Sequence, residues 1–292
     1  MIHRTRRRSI LTGLISSALL IAAPGVLGAE KLIWLLRDLP PLVVVDGPQK
    51  GQGVIDQLMP VLMANMPQYQ HVVMRVNRAR ALQMLHAPSL TCDPTLIWNP
   101  ARARWVVYST PVIALQGNGL AIQRQNQLQI APFVTDGKVD LSALLNSHAL
   151  KLGVIAKRSY GEVIDRQLPQ SPAHQIFIHY GGNPMSSLLR MQQADRLQAL
   201  LGYWPEIQVK ARQQGLSPDS MIFYPVLGAP ALQSLYVGCS DTPEGRRVIG
   251  RVNDILAHQG REVIIKSRAQ WLAPESSVDH PRPLLPAPTD AH

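Results

Sequence analysis

Between Leu90 and Pro111, in LTCDPTLIWNPARARWVVYSTP, a cysteine, a tryptophan, an Asn-Pro break and two arginines precede a strand-like apolar run. Pro100 has no backbone N–H and biases Asn99 toward an extended conformation. Asn99-Pro100-Ala101-Arg102 is therefore a turn that can aim one side chain and a few backbone donors at a single point. An arginine held there can grip a carboxylate through two parallel hydrogen bonds. Arg102 is either such an anion grip or a member of a surface ion pair; Arg104 is read as the solvated one of the two. A second group, Lys157-Arg158-Ser159-Tyr160, falls where a strand gives way to a helix, a place where backbone N–H groups favour anions. Its alternative is a run of solvated charges with a helix cap.

Other chemistries find no support. The chain has no G-x-S-x-G, H-E-x-x-H, Walker or G-x-G-x-x-G pattern, and Gly51-Gln52-Gly53 lacks the third glycine of a dinucleotide loop. The histidines show no metal-ligand spacing; His174 and His179 fall on opposite faces of one expected strand. Neither a metal, a cofactor nor a catalytic residue is expected, and the chain is read as a binding protein rather than an enzyme. A net charge of +10 over 292 residues, with four of the arginines in the first 29, gives no charge run of the kind that binds nucleic acid. A modest attraction for anionic ligands is the better inference.

Residues 1–29 have a basic head, an apolar run from Ile10 to Ala23 and small residues at Gly28 and Ala29, the layout of a secretory signal. Export to the periplasm follows, by the Sec route or, given Arg7-Arg8-Ser9-Ile10-Leu11, the twin-arginine route. In that oxidising compartment Cys92 and Cys239, the two cysteines of the chain, are expected to form a disulfide; the alternative is a pair of buried thiols. Residues 273–292 are rich in proline, without periodicity, and read as a disordered tail.

These side chains must be positioned by an alternation of short apolar strands and helices. LIWLL (32–36), HVVMRV (71–76) and LTC read as strands with helices between them, and Asn77 as the cap of RARALQMLHA. After Pro111 the pattern restarts, with strands at 119–125, 151–156, 175–180 and 196–201, then MIFYPVL, LQSLYVGC and one long amphipathic helix bearing Val248, Ile249, Val252 and Ile255. This predicts an α/β protein of two lobes, each a mostly parallel sheet with flanking helices. Lobe 1 is expected to comprise residues 30–115 plus 225–272 and lobe 2 residues 116–224, joined by a two-strand hinge. Small ligands bind in such a cleft, at the carboxyl ends of the strands.

The segment NPARARWVVYSTPV resembles extracellular solute-binding proteins of family 3, the polar amino acid type, in which a T-x-E-R turn precedes an apolar strand and F-S-x-P-Y. DLPPLVVVDG, DLSALLNSHALKLGVIAKRSYG, RMQQADRLQALLGY and GCSDTPEGRRVIGRVNDIL resemble further family segments in the same order, over roughly residues 32–272. The resemblance implies a periplasmic binding protein-like II fold. It places Arg102 on the arginine that holds a ligand carboxylate, Asn99 on the family's threonine, and Ser159 near a ligand-touching turn. Arg158 and Tyr203 join the expected ligand-binding set, as does Trp98, which either walls the cleft or fills its lobe's core. Trp204, beside Tyr203, is a further contact candidate, Trp34 is read as core, and Asp56 as a solvated or capping acid.

Four departures bear on the ligand. Leu42 replaces the usual aromatic and Val112 the tyrosine after the proline, while Gln198 and Tyr203 stand where acids are expected. The acid that would hold an ammonium is lost or moved, to Glu206 or Asp38. The expected function is closure on a small, carboxylate-bearing ligand for ABC uptake, of which amino acid transport is the family example, or for sensing. The expected partner is an ABC permease or membrane sensor, and the protein a monomer. Two alternatives remain: a module that binds no solute and acts through protein contacts, and a dehydratase-like enzyme for which Glu206, Asp38 and His179 are the candidate acids and bases.

Overall fold

The computed structural model describes residues 29–272, so the expected signal segment and proline-rich tail lie outside the described residues. The chain opens with β1 (Glu30–Leu36), a strand flanked on both sides by parallel partners. Leu32, Trp34 and Leu36 enter one apolar cluster and Leu35 enters another on the opposite face. Burial on both faces explains a run that is apolar at consecutive positions. The connection to α1 (Val54–Ala64) is fastened by Asp56, whose Oδ2 accepts from the N–H groups of Val44 at 2.8 Å and Gly53 at 3.1 Å. Of the two roles open to Asp56, capping is the one the structure assigns. Position 53 must be glycine, since a Cβ there would lie 2.3 Å from the Leu42 carbonyl oxygen.

The strand β2 (Tyr69–Arg75), helix α2 (Arg78–His86) and strand β3 (Thr91–Ile97) complete a β2-β1-β3 parallel body. Asn77 caps α2 by accepting from the Arg80 N–H at 2.9 Å. Two short strands follow, β4 (Val106–Tyr108) and β5 (Ile113–Gln116), before the chain leaves this sheet.

The second sheet and its surroundings are built from β6 (Gly119–Gln123), a separate two-stranded hairpin of β7 (Val134–Thr135) and β8 (Lys138–Val139) preceded by α3 (Gln127–Ile130), then α4 (Leu141–Asn146), β9 (Leu152–Ile155), α5 (Glu162–Gln167), β10 (Ile176–His179), α6 (Pro184–Gln193), β11 (Ala199–Gly202), α7 (Trp204–Gln213) and β12 (Met221–Pro225). Its order is β10-β9-β11-β6-β12, parallel from β10 to β11 and antiparallel where β6 joins. Separate apolar clusters fill its two faces, one beneath α4 and α5 and the other beneath α6 and α7.

After β12 the chain returns to the first sheet as β13 (Leu232–Ser240), antiparallel to β3, β4 and β5. The two crossings run side by side, and the Gly117 N–H donates to the Ala231 carbonyl at 2.8 Å. Cys92 and Cys239 are facing residues of β3 and β13 and form a disulfide. The last helix differs from expectation. Rather than one continuous helix it is α8 (Pro243–Ile255), a five-residue π turn at Leu256–Gly260, and α9 (Arg261–Leu272), which packs against α1. The fold is mixed α/β in two lobes.

Candidate functional site

Two small cavities, of about 30 and 50 Å3, lie between the lobes and share Leu39, Arg78 and Arg158 in their walls. Volumes of this size hold a few waters. Each lobe contributes to each wall, so the cleft's character depends on how loops from both sheets end.

Arg102 reaches the first cavity from the turn after β3. Asn99 shapes that turn, its Oδ1 accepting from the Ala101 N–H at 3.0 Å and the Arg102 N–H at 3.2 Å. The Arg102 side chain is only 8% exposed. Its Nη2 donates across the cleft to the Lys157 carbonyl at 3.0 Å, whereas its Nη1 is buried with no partner among the described residues. Burial lowers its pKa, though the guanidinium remains charged. Tyr108 is part of the same surroundings: burial pushes its phenol up to about 12 against the pull of the Arg102 charge, and its hydroxyl likewise lacks a partner.

From the second lobe, the loop between β9 and α5 presents Lys157, Arg158 and Ser159. Lys157 has a φ of 59°, a left-handed conformation rare for a side chain other than Gly, Asn or Asp. Ser159 lines the first cavity and donates to Asp165, whose other oxygen accepts from the Tyr160 N–H at 2.8 Å. The Asn99 amide approaches the same carboxylate at 3.4 Å. Asn99 thus builds the turn and bridges the lobes, but does not line either cavity.

Arg158 is buried and its Nη1 donates to Glu206 Oε2 at 2.6 Å, with the guanidinium 5.6 Å from the centre of the Tyr160 ring. Burial opposes its charge, but Glu206 and Tyr160 outweigh that and raise its pKa. The acids that sequence offers for an ammonium are therefore already engaged. Glu206 holds Arg158, and Asp38 forms a buried ion pair with Lys210 across the lobes. A third acid, Asp93, is fully buried against Arg37 at 2.5 Å and accepts from the Thr95 hydroxyl at 2.8 Å.

Tyr203 lines the first cavity and is 9% exposed, with burial raising its pKa. Trp98 is a correction: it is 45% exposed and walls neither cavity nor core. The reason is the period of a strand. Thr95 and Ile97 face the cavity, so Leu96 and Trp98 face away. Trp204 stacks on Phe223 with centroids 5.4 Å apart, and Trp34 is core. Leu42 lines the first cavity, and His179 the second.

Sequence reasoning missed Arg78, whose burial among Arg37, Arg158 and Arg102 drives its pKa well below the usual arginine value despite the opposing pull of Asp93. It also missed Asn118 and Gln233 of the crossing segments, which pair at 2.8 Å in the cavity wall. The position of Gly117 and Gly119 around Asn118 was the available signal for the latter pair. Among the described residues no group of three or more His, Cys, Asp or Glu could hold a metal, and no helix is long and apolar enough to cross a membrane.

No protein-family model and no curated protein sequence matches the chain. Solved structures do. A histidine kinase sensor domain with similarity to periplasmic binding proteins superposes with a TM-score of 0.64 at 13% identity, over 84% of this chain and 96% of that one. An ABC uptake transporter substrate-binding protein from Streptococcus pneumoniae, with bound histidine, gives 0.63 at 12% identity, over 86% and 95%. An ancestral amino acid-binding protein, a precursor of cyclohexadienyl dehydratase, gives 0.60 at 13%, over 83% and 95%. The chain has the two-lobed fold of type II periplasmic binding proteins. This agrees with the resemblance to a divergent family 3 member that its sequence carries.

Proposed function

We propose that this chain is a periplasmic solute-binding protein whose lobes close on a small carboxylate-bearing ligand, without catalysing its conversion. One observation carries the reading: a buried arginine, Arg102, holds an unpartnered Nη1 in a cavity between two hinged lobes. A ligand carboxylate satisfies that donor, and the low local dielectric strengthens the bond. The cavities are too small for most solutes, so entry requires the lobes to part and close again around the ligand. Closure then becomes the signal read by a membrane partner, an ABC permease or a sensor, with the protein acting as a monomer.

The test is thermal unfolding of the full chain against a panel of organic acids, amino acids and short peptides. A true ligand raises the unfolding temperature of the wild type, and Arg102→Ala abolishes that rise while leaving the unliganded protein folded. Equal rises in both proteins remove Arg102 from the site.

A second reading, a module that acts through protein contacts without a solute, draws support from contacts the protein itself makes across the cleft. Arg102 to Lys157 and Asp38 to Lys210 bridge the lobes. A panel in which nothing stabilises the wild type favours this reading.

A further inference from the structure

We infer that the cleft is built for a ligand with two acidic groups and no ammonium, with Arg102 holding one acid group and Arg78 the other. This rests on the solute-binding reading above and narrows it to a chemical class.

The wall of the first cavity contains three arginines, Arg78, Arg102 and Arg158, and no carboxylate. The two acids in the wall of the second, Asp38 and Glu206, each already hold a buried cation. Asp93 is closed off by Arg37 and Thr95, and Asp165 by Ser159 and the Tyr160 N–H. Every acid of the two walls is thus paired with a cation, although the Asp38 Oδ1 is buried without a hydrogen-bond partner, and a cation brought among these guanidinium groups would be repelled.

The cations divide differently. Arg37 and Arg158 are matched to acids, but no ion pair among the described residues joins Arg78 to a carboxylate. Arg102 keeps its unpartnered Nη1. Arg78 enters the cleft from the first turn of α2 and forms part of both walls, so it stands where the two cavities meet. Between the cationic groups the first wall mixes apolar side chains, Leu39, Leu42, Ile97 and Leu115, with neutral polar ones such as Thr95 and Gln116. That pattern suits a short hydrocarbon linker with an acid at each end. Burial first, and then the charges of Arg37, Arg158 and Arg102, lower the Arg78 pKa, and an arriving anion offsets the repulsive part.

The experiment uses C3 to C6 dicarboxylates, butyrate as a monoacid and glutamate as the diacid that adds an ammonium to glutarate. Binding to the full chain is measured by titration calorimetry and thermal shift. A dicarboxylate is expected to bind more tightly than butyrate and more tightly than glutamate. Arg78→Gln is expected to weaken the dicarboxylate by about ten- to hundredfold, the loss of one charge-assisted interaction, while changing butyrate little. Arg78→Lys should recover part of the loss. The unliganded Arg78→Gln protein should unfold no earlier than wild type, because an unmatched charge has been removed.

Tighter binding of glutamate than of glutarate overturns the proposal, as does a dicarboxylate affinity indifferent to Arg78. Butyrate binding that falls equally in Arg78→Gln and Arg102→Ala means that one carboxylate bridges both arginines, and also overturns it. In those cases the solute-binding reading survives. If no acid of any kind stabilises wild type, both fail together.

Discussion

Lys210 offers a way to separate closure from folding. It lies in α7 of the second lobe, is 1% exposed, and pairs with Asp38, two residues past the end of β1 in the first lobe. Its Nζ also donates to Gln213 at 3.0 Å. Lys210→Met keeps most of the side-chain volume and removes the charge. Deleting one partner of a buried pair ordinarily costs about 3–5 kcal/mol, because the remaining charge is stranded away from water. Here the stranded Asp38 has an escape: parting the lobes returns it to solvent without breaking the core of either lobe. The cost therefore falls on the balance between closed and open forms. At about 3 kcal/mol, the ratio shifts toward open by roughly a hundredfold.

The assay is small-angle scattering of the full chain, supported by energy transfer between a dye on each lobe. Lys210→Met should show a larger radius of gyration and a longer dye separation than wild type, with little change in the denaturant midpoint of unfolding. Adding Asp38→Asn to Lys210→Met removes the stranded charge and should restore closure. Two results refute the reasoning. One is unchanged lobe separation in Lys210→Met; the other is a loss of 3–5 kcal/mol in global stability with the lobes still together, which would make the pair part of the packing rather than of closure.

Two further perturbations test the frame around the cleft. Replacing Cys92 and Cys239 together by serine opens a cross-link between residues 147 apart in sequence, and should cost about 2–5 kcal/mol in urea unfolding without altering the dye separation between lobes. Gly161→Ala forces a side chain into a φ of +104°, with its Cβ 2.6 Å from Gln233 Nε2 in the crossing segment. A loss of about 1–3 kcal/mol is expected, together with altered lobe separation because Gln233 must move from Asn118; calorimetric unfolding and scattering read the two effects.

The alternation of strands and helices was legible because most elements bury a continuous apolar face, as β1 and β9 do. The turn at Asn99 was legible for a local reason: proline restricts its neighbour, and the asparagine side chain closes on backbone two and three residues ahead. The helix α7 was not. Its inward face carries Glu206 and Lys210 as well as Ile207 and Ala211, so charged residues occupy positions where hydrophobic spacing would announce a helix. The same substitution of charge for apolar surface is what makes α7 part of the cleft. Arg78 was hidden in a different way. RARALQMLHA offers two arginines, Arg78 and Arg80, with nothing to tell them apart, and only the approach of the second lobe's Arg158 places Arg78 in a cleft wall.

The cross-lobe bond from Arg102 to the Lys157 carbonyl sets a condition on any ligand. Each terminal nitrogen of Arg102 carries two N–H donors, so a carboxylate that takes both nitrogens must use the Nη2 hydrogen that the Lys157 carbonyl does not. A carboxylate that takes Nη1 alone leaves the bridge intact, so binding adds to the protein's own closure contacts instead of competing with them. The unpartnered atom is Nη1, which favours the second geometry. Such a ligand strengthens a latch that Asp38 and Lys210 already hold, and the closed form it stabilises keeps the bridge that the protein makes by itself.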